Sequence, residues 1–281
     1  MHGRAPDGIR LRPLTPPGAG PGRHASGPTR ASVARSAEVR LHGLNACLTA
    51  FARRPQDLRK AWLLESRLPA FKPLLAWCVR QRLGYRVVDA DELVRVSGST
   101  HHEGVCLAMR PLSEQTLAAG IGRLSPGPAL LTVLEGVGNP HNLGALLRSG
   151  AHFGLAGVVL DANDPLTLSG AAARVAEGGA EAVPLLRART GEDVAVALRA
   201  AGFALAATLP RAGQSLFDAT LPARIALVFG AEGGGLSAAL VAAADRRLTI
   251  PGSGAVESLN IASSAAVFFA EWRRQHPLPP A

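Results

Sequence analysis

The sequence predicts an α/β protein: a mostly parallel sheet covered by helices on both faces, preceded by a smaller α/β domain. From Ala129 onward, short apolar runs typical of buried strands alternate with segments typical of helices. Such alternation indicates a parallel sheet between two helical layers. The composition also changes near residues 36 and 110, and 47% of the 281 residues are hydrophobic, enough for more than one buried core.

Residues 1–36 form the first segment and consist mainly of Gly, Pro, Arg, Ala and Ser. Such a composition buries too little apolar surface to fold, so we predict a disordered basic tail. An Arg-rich, acid-poor start also occurs in organelle transit peptides, which is the less favoured alternative. The arginines are not followed by the apolar run of a secretory signal.

Residues 37–110 are predicted to form a small α/β domain. We expect strands at 39–43, 61–64, 85–88 and 104–109, and helices at 44–52 and 71–83. In the second helix Leu74, Leu75, Val79 and Leu83 fall on one face, and Gly84 is expected to end it.

Residues 111–128, rich in Pro, Gly and Ser, are predicted to be a linker to the larger domain, residues 129–281. There we expect strands at 129–134, 157–160, 182–186, 203–207, 225–229 and 247–250, with helices starting near residues 142, 169, 191, 237 and 258. A parallel sheet binds its ligand outside the carboxyl ends of its strands, so we expect the site there.

The positive charge is concentrated in the first 110 residues. Basic and acidic residues number six and one in residues 1–36, twelve and seven in 37–110, and twelve and thirteen in 111–281. This distribution indicates that the first 110 residues attract a polyphosphate such as RNA. For the tail alone, a role in solubility is an equally good interpretation.

Several classes of protein are disfavoured. Cys47, Cys78 and Cys106 are odd in number, widely separated and outside any C-x-x-C, so we expect neither a disulfide framework nor a zinc site, and a reducing cytoplasm fits best. No apolar run approaches the roughly twenty residues of a membrane span. The chain also lacks G-x-G-x-x-G and G-K-[ST], which define the Rossmann dinucleotide site and the P-loop.

Five polar residues in three glycine-punctuated segments are the candidate site. Asn142 and Arg148 come after the predicted strand 129–134, Glu232 follows strand 225–229, and Ser258 with Asn260 follows strand 247–250. Taken singly, each has an ordinary explanation: a helix cap for the Asn and Ser residues, a solvated charge for the Arg, and a tight turn for the Gly-rich loop.

Taken together, the segments carry N-P-x-N-x-G-x-x-x-R, G-x-E-x-x-G-L-S and I-P-x-x-G-x-x-x-S-L-N in this order. Over about residues 129–275 they resemble the three signature motifs of the TrmH/SpoU family of RNA ribose 2'-O-methyltransferases. Segments 39–46 and 101–105 are similar to the two ends of the ribosomal-protein-L30e-like substrate-binding domain, although Glu103 stands where many members have Gln. The chain is most similar to a poorly characterised proteobacterial branch of tRNA/rRNA methyltransferases.

The resemblance implies that the C-terminal part of the chain forms the deep trefoil knot of the SPOUT superfamily and binds S-adenosylmethionine. It places the cofactor against backbone groups of Gly230, Ile250 and Leu259, and it implies a homodimer and no metal. One departure is Gly252, where members often have Met; this puts the affinity for the cofactor in question. The Ala- and Phe-rich predicted helix 258–272 is a candidate dimer interface.

The resemblance also assigns roles to the polar residues. Arg148 is the family's proposed base, and Asn142 and Glu232 would order Arg148 and the loops. Ser258 would hold a phosphate or the arginine. Asn260 would secure the third loop. A guanidinium stays protonated in proteins. Two accounts remain: a substrate phosphate helps to remove the proton, or Arg148 stays cationic and stabilises the emerging alkoxide, which we prefer.

Two other functions stay open. The chain is alternatively a knotted methyltransferase acting on a base nitrogen, or a noncatalytic RNA-binding assembly factor that retains the fold. The set of Arg148, Ser258 and Asn260 argues against the first, and the intact polar positions argue against the second. No residue pattern distinguishes tRNA from rRNA or identifies the target nucleotide.

Overall fold

The computed structural model describes residues 38–277, which form a four-stranded and an eight-stranded sheet with helices on their faces. The predicted disordered tail, 1–36, lies outside the described residues. The strands are β1 (Val39–His42), β2 (Leu58–Leu63), β3 (Gly84–Val87), β4 (Val105–Met109), β5 (Gln115–Thr116), β6 (Ala129–Leu134), β7 (Gly157–Leu160), β8 (Leu185–Arg187), β9 (Ala204–Thr208), β10 (Gln214–Ser215), β11 (Arg224–Phe229) and β12 (Arg246–Thr249). The helices are α1 (Leu44–Arg53), α2 (Lys72–Gln81), α3 (Ala90–Ser97), α4 (Leu117–Gly122), α5 (Pro140–Phe153), α6 (Gly170–Ala176), α7 (Val194–Ala200), α8 (Ala238–Ala243) and α9 (Ile261–Gln275).

The smaller sheet has the strand order β1-β4-β2-β3. β4 pairs antiparallel with β1 and β2, and β3 adds in parallel to β2 as an edge strand. All five side chains of β4 are buried, because helices cover both faces. Cys47 of α1 and Leu74 of α2 enter the core on one face, and Leu93 of α3 packs beside Trp62 on the other.

The predicted buried face of α2 is partly wrong. Leu74 and Cys78 are its buried residues, whereas Val79 is 67% exposed. Positions 74 and 78 are about one turn apart on the helix, whereas position 79 is rotated by about 100° from position 78 and by about 140° from position 74. The helix ends at Gln81, with Arg82 rather than Gly84 in the left-handed conformation (φ 54°). Helix α3 was not predicted.

The larger sheet has the strand order β10-β12-β9-β11-β6-β7-β8-β5, and all its pairings are parallel. One face carries α5, α6 and α9, whose apolar side chains form one core. The other face carries α4, α7 and α8 and forms a second core. The predicted fold class, an α/β protein with a mostly parallel sheet covered on both faces, is confirmed.

Element boundaries follow the predictions most closely in the buried central strands. β6 and β7 begin and end at the predicted residues, and the four other predicted strands are displaced by one to three residues. The predicted linker range, 111–128, contains β5 and α4; β5 pairs with β8 at the edge of the larger sheet. The predicted linker thus contains a two-residue strand and a short helix.

After β9 the chain crosses this strand twice. It first forms β10 at the sheet edge, then returns to β11 on the other side of β9, and finally inserts β12 between β9 and β10. The first return, through Leu216–Asp218, packs on the α5 and α9 face, and the second, through α8, packs on the opposite face. Such back-and-forth connections are unusual, because consecutive strands normally lie side by side.

Helix α6 joins the two sheets into one compact unit. Its Ala173 belongs to the core of the smaller sheet, and Ala172 and Ala176 belong to that of the larger one. At its first residue, Gly170, a Cβ would lie 2.1 Å from the carbonyl oxygen of Arg40 in β1, so only glycine permits this approach.

A buried ion pair fastens the same junction. Nε of Arg54, which follows α1, donates to both carboxylate oxygens of Glu181, at 3.0 and 2.9 Å. Both side chains are nearly inaccessible, at 7% and 6% exposure. Arg54 also donates to the carbonyl oxygen of Arg110. The two sheets are thus linked by apolar packing and by a desolvated charge pair.

The three cysteines are free thiols buried in the smaller sheet and its helices. Burial raises the pKa of each thiol, that of Cys106 to about 11. Within residues 38–277 we find no helix both long enough and apolar enough to span a bilayer.

Candidate active site

Loops that follow neighbouring strands meet at the carboxyl edge of the larger sheet. β11 lies between β6 and β9, and β12 pairs with β9. Because these strands are parallel, their carboxyl ends share one edge. The loop after β11 starts at Gly230, the loop after β12 starts at Ile250, and β6 leads into α5. All of the predicted polar residues lie in or after these loops.

Three of the five predicted polar residues form a closed hydrogen-bonded triangle. Nδ2 of Asn142 donates to Oε1 of Glu232 at 3.0 Å. Nδ2 of Asn260 donates to the same oxygen at 3.0 Å and to Oδ1 of Asn142 at 3.0 Å. Asn142 is 9% exposed, whereas Glu232 is exposed. The triangle connects segments up to 118 residues apart and fixes the three loops relative to one another.

The helix caps differ from the expected ones. Asn139, not Asn142, caps α5, accepting a hydrogen bond from the N–H of His141. Asn260, not Ser258, caps α9, with Oδ1 accepting from the N–H groups of Ala262 and Ser263. Asn142 therefore keeps its whole amide for the triangle. Asn260 uses its oxygen for the helix and its nitrogen for the triangle.

Arg148 lies apart from this triangle. Its side chain is 59% exposed, and its Nη1 is 2.8 Å from Oε1 of Glu177. The other carboxylate oxygen of Glu177 accepts a hydrogen bond of 3.4 Å from Asn45 of α1. Arg148 follows Asn142 by six residues on α5, a spacing that does not bring two residues onto the same face of a helix.

The remaining predicted residues lie in the loops of the same edge. Ser258 is exposed, and Leu259 is 49% exposed. Ile250 is partly buried against the core. The loop from Gly230 folds tightly on itself, since a Cβ on Gly230 would lie 2.2 Å from the carbonyl oxygen of Gly235.

The donor set of these loops fits S-adenosylmethionine. Within residues 38–277, the N–H groups of Gly230, Ile250 and Leu259 donate no hydrogen bond. Unpaired backbone donors beside partly exposed apolar side chains suit a ligand that has a nucleobase and a polar amino-acid end. Thr208 donates from Oγ1 to the carbonyl oxygen of Val228 at 2.8 Å, which fixes the ends of β9 and β11 beside these groups.

Two acidic residues at the site were not predicted. Glu135 follows β6 directly, and its Oε2 accepts a hydrogen bond of 2.8 Å from the N–H of Ser237 in the loop after β11. Its place at the carboxyl end of a buried strand is the signal that could have identified it. Glu177, the partner of Arg148, carries no such signal, because it follows a helix. Residues 38–277 contain no group of three or more His, Cys, Asp or Glu side chains suited to a metal ion.

Comparison with known proteins identifies the family. The model of the SpoU rRNA Methylase family matches residues 129–270, about half of the chain. The chain belongs to this family. A second model, for RNA 2'-O ribose methyltransferase substrate binding, matches residues 40–115 of this SpoU methylase. The predicted family and the predicted enzyme class, RNA methyltransferase, are confirmed.

Similar proteins extend over most of the SpoU chain. It is 40% identical to an uncharacterized tRNA/rRNA methyltransferase from Escherichia coli, over 86% of this chain and 70% of that protein. It is 34% identical to the 23S rRNA (guanosine-2'-O-)-methyltransferase RlmB from a Burkholderia species, over 84% and 96% of the two chains.

Solved structures agree with the fold of this SpoU methylase. A crystal structure of an RNA 2'-O ribose methyltransferase superposes with a TM-score of 0.70 at 29% identity, over 86% of this chain and 90% of that one. An AdoMet-bound rRNA methyltransferase from Sinorhizobium meliloti superposes with a TM-score of 0.70 at 22% identity, over 86% and 88% of the two chains. The latter likeness shows the fold alone.

Proposed function

We propose that this SpoU family member transfers a methyl group from S-adenosylmethionine to a ribose 2'-hydroxyl of tRNA or rRNA. The observation that carries the proposal is the triangle of Asn142, Glu232 and Asn260. It joins the three motif-bearing loops beside a set of unpaired backbone donors. The 34% identity to a 23S rRNA (guanosine-2'-O-)-methyltransferase supports the ribose as the acceptor.

The cofactor would lie against Gly230, Ile250 and Leu259, whose N–H groups donate to no other described residue. When bound, it supplies an electrophilic methyl group on a sulfonium sulfur. The triangle holds the Glu232 loop and the Asn260 loop at fixed positions, so the backbone donors are oriented before the ligand arrives. Such preorganisation would reduce the entropy that is lost when the cofactor and the ribose are brought together.

Arg148 is proposed to stabilise the charge that develops on the reacting oxygen. S-adenosylmethionine would supply the methyl group and leave as the neutral thioether, while the proton of the ribose hydroxyl would pass to a substrate phosphate or to water. The guanidinium stays protonated, so its role is electrostatic rather than that of a base. To act there, Arg148 must leave the exposed ion pair with Glu177, and Ser258 in the exposed loop would hold either Arg148 or a substrate phosphate.

We further propose that residues 37–110 recognise RNA and that residues 129–281 carry out the transfer. The excess positive charge lies in the first 110 residues, and a substrate-binding model covers 40–115. An RNA substrate supports a location in the cytoplasm. RNA affinity driven by phosphate contacts falls steeply with salt.

A homodimer is proposed, with an interface different from the expected one. The aromatic face of α9 is not available to a partner, because Phe268, Phe269 and Trp272 are at most 2% exposed in the core of the same chain. The loop after β12 instead exposes Val256 (69%) and Leu259 (49%), an apolar surface that a second copy would cover. Light scattering on the purified chain measures the oligomeric state. The wild type is expected to be a dimer and Val256→Asp a monomer.

The test of the function is methyl transfer from radiolabelled S-adenosylmethionine to unmodified 23S rRNA and tRNA transcripts, followed by nucleoside analysis. A 2'-O-methylated nucleoside is the expected product, and a base-methylated one would support the nitrogen-methylating alternative. Arg148→Ala is expected to abolish turnover while RNA binding persists. Failure to bind S-adenosylmethionine at millimolar concentration would support the noncatalytic assembly factor.

A further inference from the structure

A cavity of about 480 Å³ lies where β1 of the smaller sheet faces the starts of α5 and α6. Its walls include two guanidinium groups, three imidazoles and a hydroxyl, from Arg40, Arg174, His42, His101, His141 and Ser99. One acidic residue, Glu38, also lines it. The cavity is separate from the loops that would hold the cofactor, but His141 is adjacent in sequence to Asn142 of the triangle.

Two residues that line this cavity each have a buried nitrogen atom without a hydrogen-bond partner among the described residues. These atoms are Nδ1 of His42 and Nη1 of Arg40. His42 as a whole is only 4% exposed. Buried polar atoms are almost always paired, and leaving one unpaired is costly. Both unpaired atoms belong to basic residues that line the same cavity.

The guanidinium groups around the cavity are held in place but keep donors free. Arg40 stacks on Trp62, with Cζ 4.5 Å from the ring centroid. Its contact with Glu38, at 3.7 Å, is longer than a hydrogen bond, and so is the 3.9 Å contact of Arg174 with Glu103. The pKa of His42 is lowered, chiefly by burial, which favours the neutral ring with one N–H.

The shape of the cavity depends on close packing at two glycines. A Cβ on Gly170 would lie 2.1 Å from the carbonyl oxygen of Arg40, and a Cβ on Gly43 would lie 2.7 Å from Cγ of Arg174. Gly43 also has a positive φ of 95°, where other residues are strained. These contacts hold β1 and α6 at the separation that leaves the cavity between them.

We propose that this cavity binds a phosphate of the RNA backbone close to the target nucleotide. Guanidinium, imidazole N–H and hydroxyl groups are the donors that phosphate oxygens accept. RNA, rather than a free phosphate, is assigned because the cavity connects the proposed substrate-binding domain with the first turn of α5. The inference rests on the proposed function and adds a defined contact to it.

The test compares two cavity variants, Arg40→Gln and Arg174→Gln, with Arg80→Gln. Arg80 is exposed on α2, beside β3 at the edge of the sheet opposite to β1, so the control removes one charge from the same domain. RNA affinity is measured by fluorescence anisotropy over a range of salt concentrations, using an RNA that the wild type methylates. S-adenosylmethionine affinity and the melting temperature report on the fold.

Each cavity variant is expected to weaken RNA binding by about 10-fold and to lower the slope of log affinity against log salt by about 1. S-adenosylmethionine affinity should not change. An equal loss in Arg80→Gln would overturn the proposal, since only net charge would then matter. Unchanged RNA affinity in the cavity variants, with saturation of the wild type by inorganic phosphate, would also overturn it and assign a free-phosphate site.

Failure of the proposed methyl transfer can be distinguished from failure of the proposed phosphate site. If the wild type binds RNA but transfers no methyl group to any transcript, the methyltransferase proposal fails, while the affinity comparison between cavity and control variants still decides the phosphate site. In that case the binding comparison uses total cellular RNA as the probe.

Discussion

Replacing Asn142 with Asp should convert the hydrogen-bonded triangle into a repulsive pair. The substitution exchanges an N–H donor for a second carboxylate oxygen, 3.0 Å from Oε1 of Glu232. Coulomb's law gives a repulsion of about 1.4 kcal/mol at this distance in water and about 5.5 kcal/mol at an effective dielectric constant of 20. Because Glu232 is exposed, screening favours the lower part of this range. We expect a loss of about 2 kcal/mol of unfolding free energy at pH 7.

The effect should depend on pH with a defined sign. A neighbouring carboxylate raises the folded-state pKa of the introduced aspartate above its unfolded value. The folded variant therefore binds protons more readily than the unfolded chain. Its stability falls as the pH rises from the unfolded-state pKa of the aspartate to the higher folded-state pKa, and it recovers on acidification. Urea denaturation of the wild type and of Asn142→Asp at pH 7 and pH 5 measures the difference.

Two matched variants separate charge repulsion from loss of contacts. Asn142→Ala removes the hydrogen bonds without adding charge, so its stability loss should not depend on pH. Adding Glu232→Gln to Asn142→Asp restores a donor opposite the carboxylate and should recover at least half of the loss. If Asn142→Asp is as stable as Asn142→Ala at both pH values, or if the double variant recovers nothing, the triangle does not exist in solution.

Three further predictions concern other contacts. Glu177→Gln removes the ion pair that holds Arg148 away from the triangle. Because an exposed pair contributes only about 0.2–1 kcal/mol, the rate of single-turnover methyl transfer should rise by no more than about 5-fold. A lower rate would mean that Glu177 positions Arg148 for the reaction. Arg54→Met leaves the carboxylate of Glu181 buried without a partner and should lower the free energy of unfolding, measured by urea denaturation, by about 3–5 kcal/mol. Adding Glu181→Leu should restore most of this free energy. Equal losses in the single and the double variant would contradict a buried pair. The native thiols should resist Ellman's reagent at pH 8. The pKa of Cys106 is about 11, so only about 0.001 of this thiol is thiolate at that pH. Rapid labelling without denaturant would show that the thiols are accessible.

The central strands were predictable because burial on both faces leaves a continuous apolar run. β6 and β7 are buried along their whole length, and their predicted bounds match. β5 and β10 have two residues each and exist only through pairing with β8 and β12. A two-residue strand has no periodicity, so tertiary contacts alone define it.

The triangle was predictable as a group, because motif order places its residues at the ends of neighbouring strands. The hydrogen-bond geometry of the triangle was not predictable from the sequence, and the helix caps show the reason. Asn139 and Asn142 are both Asn residues at the start of one helix, and sequence alone does not decide which side chain turns back to the backbone. The place of Arg148 depends on Glu177, 29 residues away in the chain and on no strand end, so no local pattern reveals it.

The double use of Asn260 links the folding of α9 to formation of the site. The same amide caps α9 and closes the triangle, and α9 is anchored by Trp272, whose Nε1 donates to the carbonyl oxygen of Pro222. During synthesis the Asn142 and Glu232 loops emerge before the residues that lock them. Before α9 forms, the hydrogen bond from Asn142 to Glu232 would be the only side of the triangle in place, and the loop of Asn260 would have no fixed position. Methyl-transfer competence should consequently require that α9 has folded.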